Sequence, residues 1–188
     1  MATLRTLEVA LSFLEDTKPH AGIARGIITE SNRHFERNDR LTLRASDFTQ
    51  SLAVYNESGT QSEIDKSLFT NIDVFIGFMH VRFGRPVAGS KSGAEHEYRQ
   101  AISGYIKNRK PKYILFGFSD DMVIPSKTDG KQMELVKQFR GGIKDKQLYF
   151  MWENPEDFEK IFREQLNLLV DRYKNDLNNY IPGGLRYK

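Results

Sequence analysis

The stretch from Asp73 to Met79, followed by a loop through Arg82, Phe83, Gly84, Arg85 and Pro86, constrains this chain more than any other. A short apolar run bounded by polar residues and closed by Gly and Pro fits a strand covered on both faces, as in a parallel sheet. The loop then leaves the strand's carboxyl end. Open α/β sheets bind their ligands there, between such loops and the amino ends of the helices that follow.

The next helix start is also readable. Ser92 and Glu95 have the three-residue spacing of a capping box, in which hydroxyl and carboxylate each satisfy a backbone donor at the helix end. Glu97 lies two positions further on, about 200 degrees around the helix from Glu95. The cap does not employ it, so Glu97 is expected to face the crevice.

Length and composition set the frame. A chain of 188 residues supports one domain with a sizeable core. No apolar run reaches the roughly 20 residues needed to span a bilayer, so no membrane association is expected. Residues Met1 to Arg5 lack the pattern of a secretory leader. The chain has no cysteine, which excludes disulfides, thiolate metal sites and a thiol nucleophile, and fits a reducing, cytoplasmic setting. Net charge is only +3. The densest basic cluster, Lys107, Arg109, Lys110 and Lys112, falls between a helix end and a strand, where cations meet the helix dipole. Nucleic-acid binding needs a larger stripe, and is not expected.

Hydrophobic periodicity places the remaining elements. Leu7 to Phe13 reads as the first strand, and Thr17 and Pro19 as the opening of a helix that buries Ile23, Ile27, Ile28 and Phe35 and ends near Arg37. Leu41 to Ala45 is a second strand, Ser46 to Ser62 a long polar segment, and Gln61 to Phe69 a short helix. Beyond the helix from Gly93 to about Lys107, Pro111 to Phe118 makes the fourth strand. A helix from Lys131 to Phe139 is expected to stop at Gly141 and Gly142. Gln147 to Trp152 gives the fifth strand. The last helix begins at Asn154 or Pro155 and buries Phe158, Ile161, Phe162, Leu169 and Tyr173. Residues 1–180 form one domain in this reading, and 181–188 a tail or linker. Strands alternating with helices imply an α/β, flavodoxin-like three-layer sandwich. Its five-stranded parallel sheet takes the order 2-1-3-4-5, with helices on both faces.

Several familiar chemistries are missing. There is no Gly-x-Gly-x-x-Gly after the first strand, no Walker loop and no Gly-x-Ser-x-Gly elbow. His20, His34, His80 and His96 lack metal-ligand spacing, so no metal is expected. What remains is one carboxylate, Glu97, in a loop-rich cleft, with Phe13, Phe83 and Tyr98 as aromatic neighbours and Ser12, Asp16, Arg82 and Ser92 as polar ones. That set suits cleavage of an N-glycosidic bond. Its transition state is oxocarbenium-like, and a carboxylate can stabilise the positive charge or act as nucleophile. A cationic leaving group such as nicotinamide needs no general acid.

The residues from Val9 to Thr17 resemble the first box of Toll/interleukin receptor (TIR) domains, in which a strand ends in Ser-Phe and an acidic loop follows. Asp73 to Ala101 is similar to the TIR-like domains of bacterial defence and signalling proteins. The shared features are a strand that starts at Asp, an Arg-Phe-Gly loop and a helix reading Ser-Gly-x-Glu-x-Glu-aromatic-x-x-Ala. Part of that helix also resembles the nucleoside deoxyribosyltransferases, although Ser92 stands where those carry Asp. The resemblance implies an NAD+ glycohydrolase with Glu97 as the catalytic carboxylate. It also implies that Ser12, Phe13 and Asp16 line the nicotinamide-ribose end, while Arg82, Phe83 and Ser92 flank the substrate. NAD+ is then a substrate and no cofactor is required. Activation by self-association or a partner protein in antiviral or immune-type signalling is implied too. Two other functions remain compatible with the sequence: a non-enzymatic TIR-like interaction module, and a nucleoside or nucleotide N-glycosidase or deoxyribosyltransferase.

Overall fold

A computed structural model describes residues 3–47, 71–86, 90–123, 128–144 and 147–178. Five strands form one sheet: β1 (Arg5–Ser12), β2 (Leu41–Asp47), β3 (Val74–Met79), β4 (Tyr113–Ser119) and β5 (Phe150–Trp152). Their order is β2-β1-β3-β4-β5, and every pairing is parallel. The fold is therefore the α/β, flavodoxin-like arrangement expected, with the winding reversing between β1 and β3. Among the described residues the helices are α1 (Lys18–Asn38), α2 (Gly93–Asn108), α3 (Gly130–Lys144) and α4 (Pro155–Asn178).

β3 is the centre of the sheet because all six of its residues are buried. Its alternation divides the core. Val74, Ile76 and Phe78 face the layer of α1 and α4, and Phe75 and Met79 face that of α2 and α3. Phe78 is ringed by Phe150, Trp152, Phe158 and Phe162 at centroid distances of 5.4 to 6.3 Å. Burying each such side chain contributes about 1.5–3 kcal/mol. On the opposite face Phe116 packs on Tyr98, Phe118 and Phe139. Gly77 belongs to this packing, since a Cβ there would strike the Phe116 ring.

The caps of α2 and α4 follow one pattern. Ser92 Oγ accepts the Glu95 N–H at 3.0 Å, but the Glu95 carboxylate reaches past Ser92 to the Lys91 N–H at 2.9 Å. Asn154 and Asp157 repeat this offset at α4, with Asp157 accepting from the Glu153 N–H. Thr17 precedes α1 without a side-chain cap bond, because its hydroxyl accepts the Leu14 N–H instead.

Boundaries differ from expectation in physically interpretable ways. β2 runs two residues further, to Asp47, because β1 continues to pair with it. β5 is only three residues long, since β4 offers it partners from Gly117 to Ser119 alone. α3 does not stop at Gly141; it continues through both glycines to Lys144 and buries Ile143. Glycine inside a helix costs about 0.5–1 kcal/mol relative to alanine. The expected helix from Gln61 to Phe69, most of the polar segment before it, and the tail 181–188 lie outside the described residues. No described helix is long and apolar enough to cross a membrane.

Candidate functional site

All five strands point the same way, so Ser12, Met79 and Ser119 end at one edge of the sheet. Ser12 is the last residue of β1 and pairs in register with Gly77. It is 1% exposed. α2 begins above β3 and brings Glu97 to it: Ser12 Oγ donates to Glu97 Oε2 at 2.5 Å. This bond joins the two strand-loop-helix units on either side of the switch point. It holds the half-buried carboxylate against the edge where ligands of such sheets bind.

Glu95 has a different role on the same helix. It is buried, and its carboxylate takes the Lys91 N–H and two bonds from Arg99 at 2.7 and 3.1 Å. Glu95 fixes the start of α2, so Glu97 is presented from a defined turn.

Asp16 lies beside the site as a clip. Its Oδ2 accepts the consecutive Val81 and Arg82 N–H groups at 3.0 and 2.8 Å, tying the β1–α1 loop to the chain leaving β3. Its Oδ1 is buried with no hydrogen-bond partner. The Arg82 side chain is exposed and lines a shallow hollow of about 350 Å³ with Arg85 and Gln132.

Of the other proposed contacts, Ser92 and Phe83 are placed inside the protein and Phe13 is half-buried. Ser92 is fully buried as the α2 cap. Phe83 is 1% exposed and packs edge-on against Phe139 at 5.7 Å. Its backbone is drawn inward by Gln132, whose Oε1 accepts both the Phe83 and Gly84 N–H groups. Phe13 packs against the α1–α4 layer, with the Arg25 guanidinium 5.9 Å from its ring centroid. Strand alternation is the signal that predicts this: where Ser12 faces Glu97, Phe13 must face the other way.

Sequence reasoning missed two features of this edge. Arg25 pairs with the buried Asp47 at 2.5 Å, closing the end of β2 onto α1. His20 is buried between Trp152 and Phe158, with ring centroids 5.2 and 5.0 Å away. Burial is the main cause that lowers its pKa, and His80 adds to the effect; Asp121 and Asp16 pull the other way. No local sequence pattern marks either feature, because the partners are distant in sequence: Asp47 of β2 for Arg25, and Trp152 of β5 and Phe158 of α4 for His20. No group of His, Cys, Asp or Glu among the described residues is arranged to hold a metal ion.

A comparison with curated proteins returned no match. Among solved structures, crystal structures of Staphylococcus aureus homoserine dehydrogenase at pH 6.0 and pH 7.5 each align with a TM-score of 0.39 and 9% identity. They cover 79% and 80% of this chain, and this chain spans about a third of theirs, 33% and 32%. Likeness at this level says nothing of this chain's chemistry. A family model matches residues 35–167, most of the chain, including the central strand and Glu97. The chain belongs to the DUF4062 family, a domain of unknown function.

Proposed function

We propose that this chain is a TIR-like NAD+ glycohydrolase in which Glu97 is the catalytic carboxylate. The observation that carries the reading is the Ser12–Glu97 hydrogen bond at the switch point of the sheet. It gives a carboxylate fixed by a buried serine at the edge where ligands of such folds bind.

The chemistry follows from charge. In NAD+ the nicotinamide nitrogen carries a positive charge, so breaking the bond from the ribose anomeric carbon returns the electron pair to that nitrogen and releases a neutral base. Positive charge develops on the ribose, where a Glu97 oxygen stabilises it or bonds to the anomeric carbon. Water then adds to that carbon and gives up a proton, leaving ADP-ribose. Ser12 acts as a positioning residue by setting the Glu97 rotamer. Asp16 holds the loop after β3 against the β1–α1 loop, which keeps the edge in shape.

Self-association in antiviral or immune-type signalling within the cytoplasm is the setting in which such an activity would operate. The test is incubation of the chain, dilute and concentrated, with NAD+ and separately with purine and pyrimidine nucleosides. Nicotinamide release from NAD+, with the nucleosides intact, is the expected result. Base release from the nucleosides alone would favour a nucleoside glycosidase. No release from any of them would favour an interaction module.

A further inference from the structure

On the far side of α2 from Glu97, a hollow of about 290 Å³ opens between α2 and α3. We propose that it binds a small planar aromatic molecule carrying one anionic group. Glu95 lines this hollow and Glu97 does not, so the inference is independent of the glycohydrolase reading.

The volume lies near the lower end of the range of small-molecule sites, room for a one- or two-ring guest. The wall is aromatic: Phe139 stands at 68° to Phe83 and 89° to Tyr98, with centroids 5.7 and 5.5 Å apart. Phe83 and Tyr98 are almost wholly buried, so the half-buried Phe139 is the ring that a flat guest would meet, by face or edge. Of the charged groups that line the hollow, Lys91 and Arg99 are exposed and Glu95 is buried. Lys91 and Arg99 bring two cations beside a single carboxylate, Glu95, which leaves a net positive charge there.

Gly142 gives a position from which the hollow can be altered. It lines the hollow from within α3, its φ is not in the left-handed region, and a Cβ built on it would meet nothing within 4 Å. Neither backbone nor packing requires glycine at this helical position. Gly142 is exposed, so a larger side chain placed there would cover part of the hollow without disturbing the core.

The probe is 2-naphthoate, titrated by calorimetry and followed by amide chemical shifts. One-to-one, saturable binding is expected, with shifts at Arg99, Gln138 and Gly142, and with uncharged 2-naphthamide bound several-fold more weakly. Gly142→Leu fills the hollow while raising helix propensity and is expected to weaken binding at least about tenfold. Gly142→Ala and Lys91→Ala, milder changes, should each weaken it a few-fold, and Glu97→Gln should bind as the parent does. No saturable binding, or unchanged affinity in a folded Gly142→Leu or Gly142→Ala protein, would overturn the proposal.

Discussion

Glu95 and Glu97 stand two positions apart on α2, and one carboxylate is held locally while the other is held from β1. Glu95 is tied to its own helix through the Lys91 N–H and Arg99, and Glu97 is tied to Ser12 of β1 across the sheet edge. The local pair fixes where the helix begins, and the long-range pair then fixes where Glu97 is presented.

Ser12→Ala removes the donor to Glu97 and leaves that carboxylate without the serine's support. A bond to a charged group is worth about 1.5–3 kcal/mol, part of which water recovers at a half-buried site. The expected result is an unfolding free energy lower by about 1 kcal/mol. Nicotinamide release should fall roughly tenfold in kcat with KM little changed, since a positioning residue acts on the reacting geometry. Urea denaturation and steady-state kinetics on the same preparation check both.

Asp16→Ala strips two backbone amides of their shared acceptor. Leaving a buried donor unpaired costs about 1–3 kcal/mol, and water recovers part of that here because the Arg82 bond is exposed and the Val81 bond half-buried. Asp16→Asn retains an acceptor oxygen and should lose less than half as much. Hydrogen exchange at Val81 and Arg82 is the local readout, with protection lost in the alanine variant and mostly kept in the asparagine one.

How far the sequence discloses this arrangement depends on how local each determinant is. β3 and α2 were legible because an uninterrupted apolar run and a Ser-x-x-Glu cap write their limits directly into neighbouring residues. Glu97 was legible for the same reason, since helical geometry separates it from Glu95. Phe83 is expected in the cleft because it lies in the loop after β3 and in the Arg-Phe-Gly resemblance, whereas its burial depends on Gln132, 49 positions away, which accepts from its backbone. Phe13 follows the last residue of β1 and continues its alternation, so it packs on the α1–α4 side, away from Glu97. The length of β5 was hidden because an edge strand ends where its single neighbour stops pairing. α3 outlasted Gly141 and Gly142 because Ile143 gains burial beyond them.

His20 gives the fold a pH dependence. Its folded pKa is lowered from the ordinary 6.5, chiefly by burial and further by His80, against Asp121 and Asp16. The unfolded chain therefore binds this proton more readily than the folded one, and stability rises with pH. The contribution is complete above the unfolded value and is lost as pH falls through the folded one. Urea midpoints measured from about pH 8 down to pH 5 should decline in the parent protein, and more shallowly in His20→Phe. Equal slopes would show that other groups set the dependence.

Gly77→Ala tests the packing beneath Ser12. The added Cβ would collide with the Phe116 ring, so the ring must move. Overpacking of this kind costs about 1–3 kcal/mol. A double variant with Phe116→Leu should recover part of the loss, which thermal melts of the two single variants and the pair would measure.

The account turns on Glu97, and the most direct measurement is the rate of nicotinamide release from NAD+ by the parent chain and by Glu97→Gln at equal, high concentration. The account predicts release by the parent and a fall of at least about a hundredfold in the variant, with thermal midpoints alike. A folded Glu97→Gln protein that releases nicotinamide as fast as the parent would contradict it.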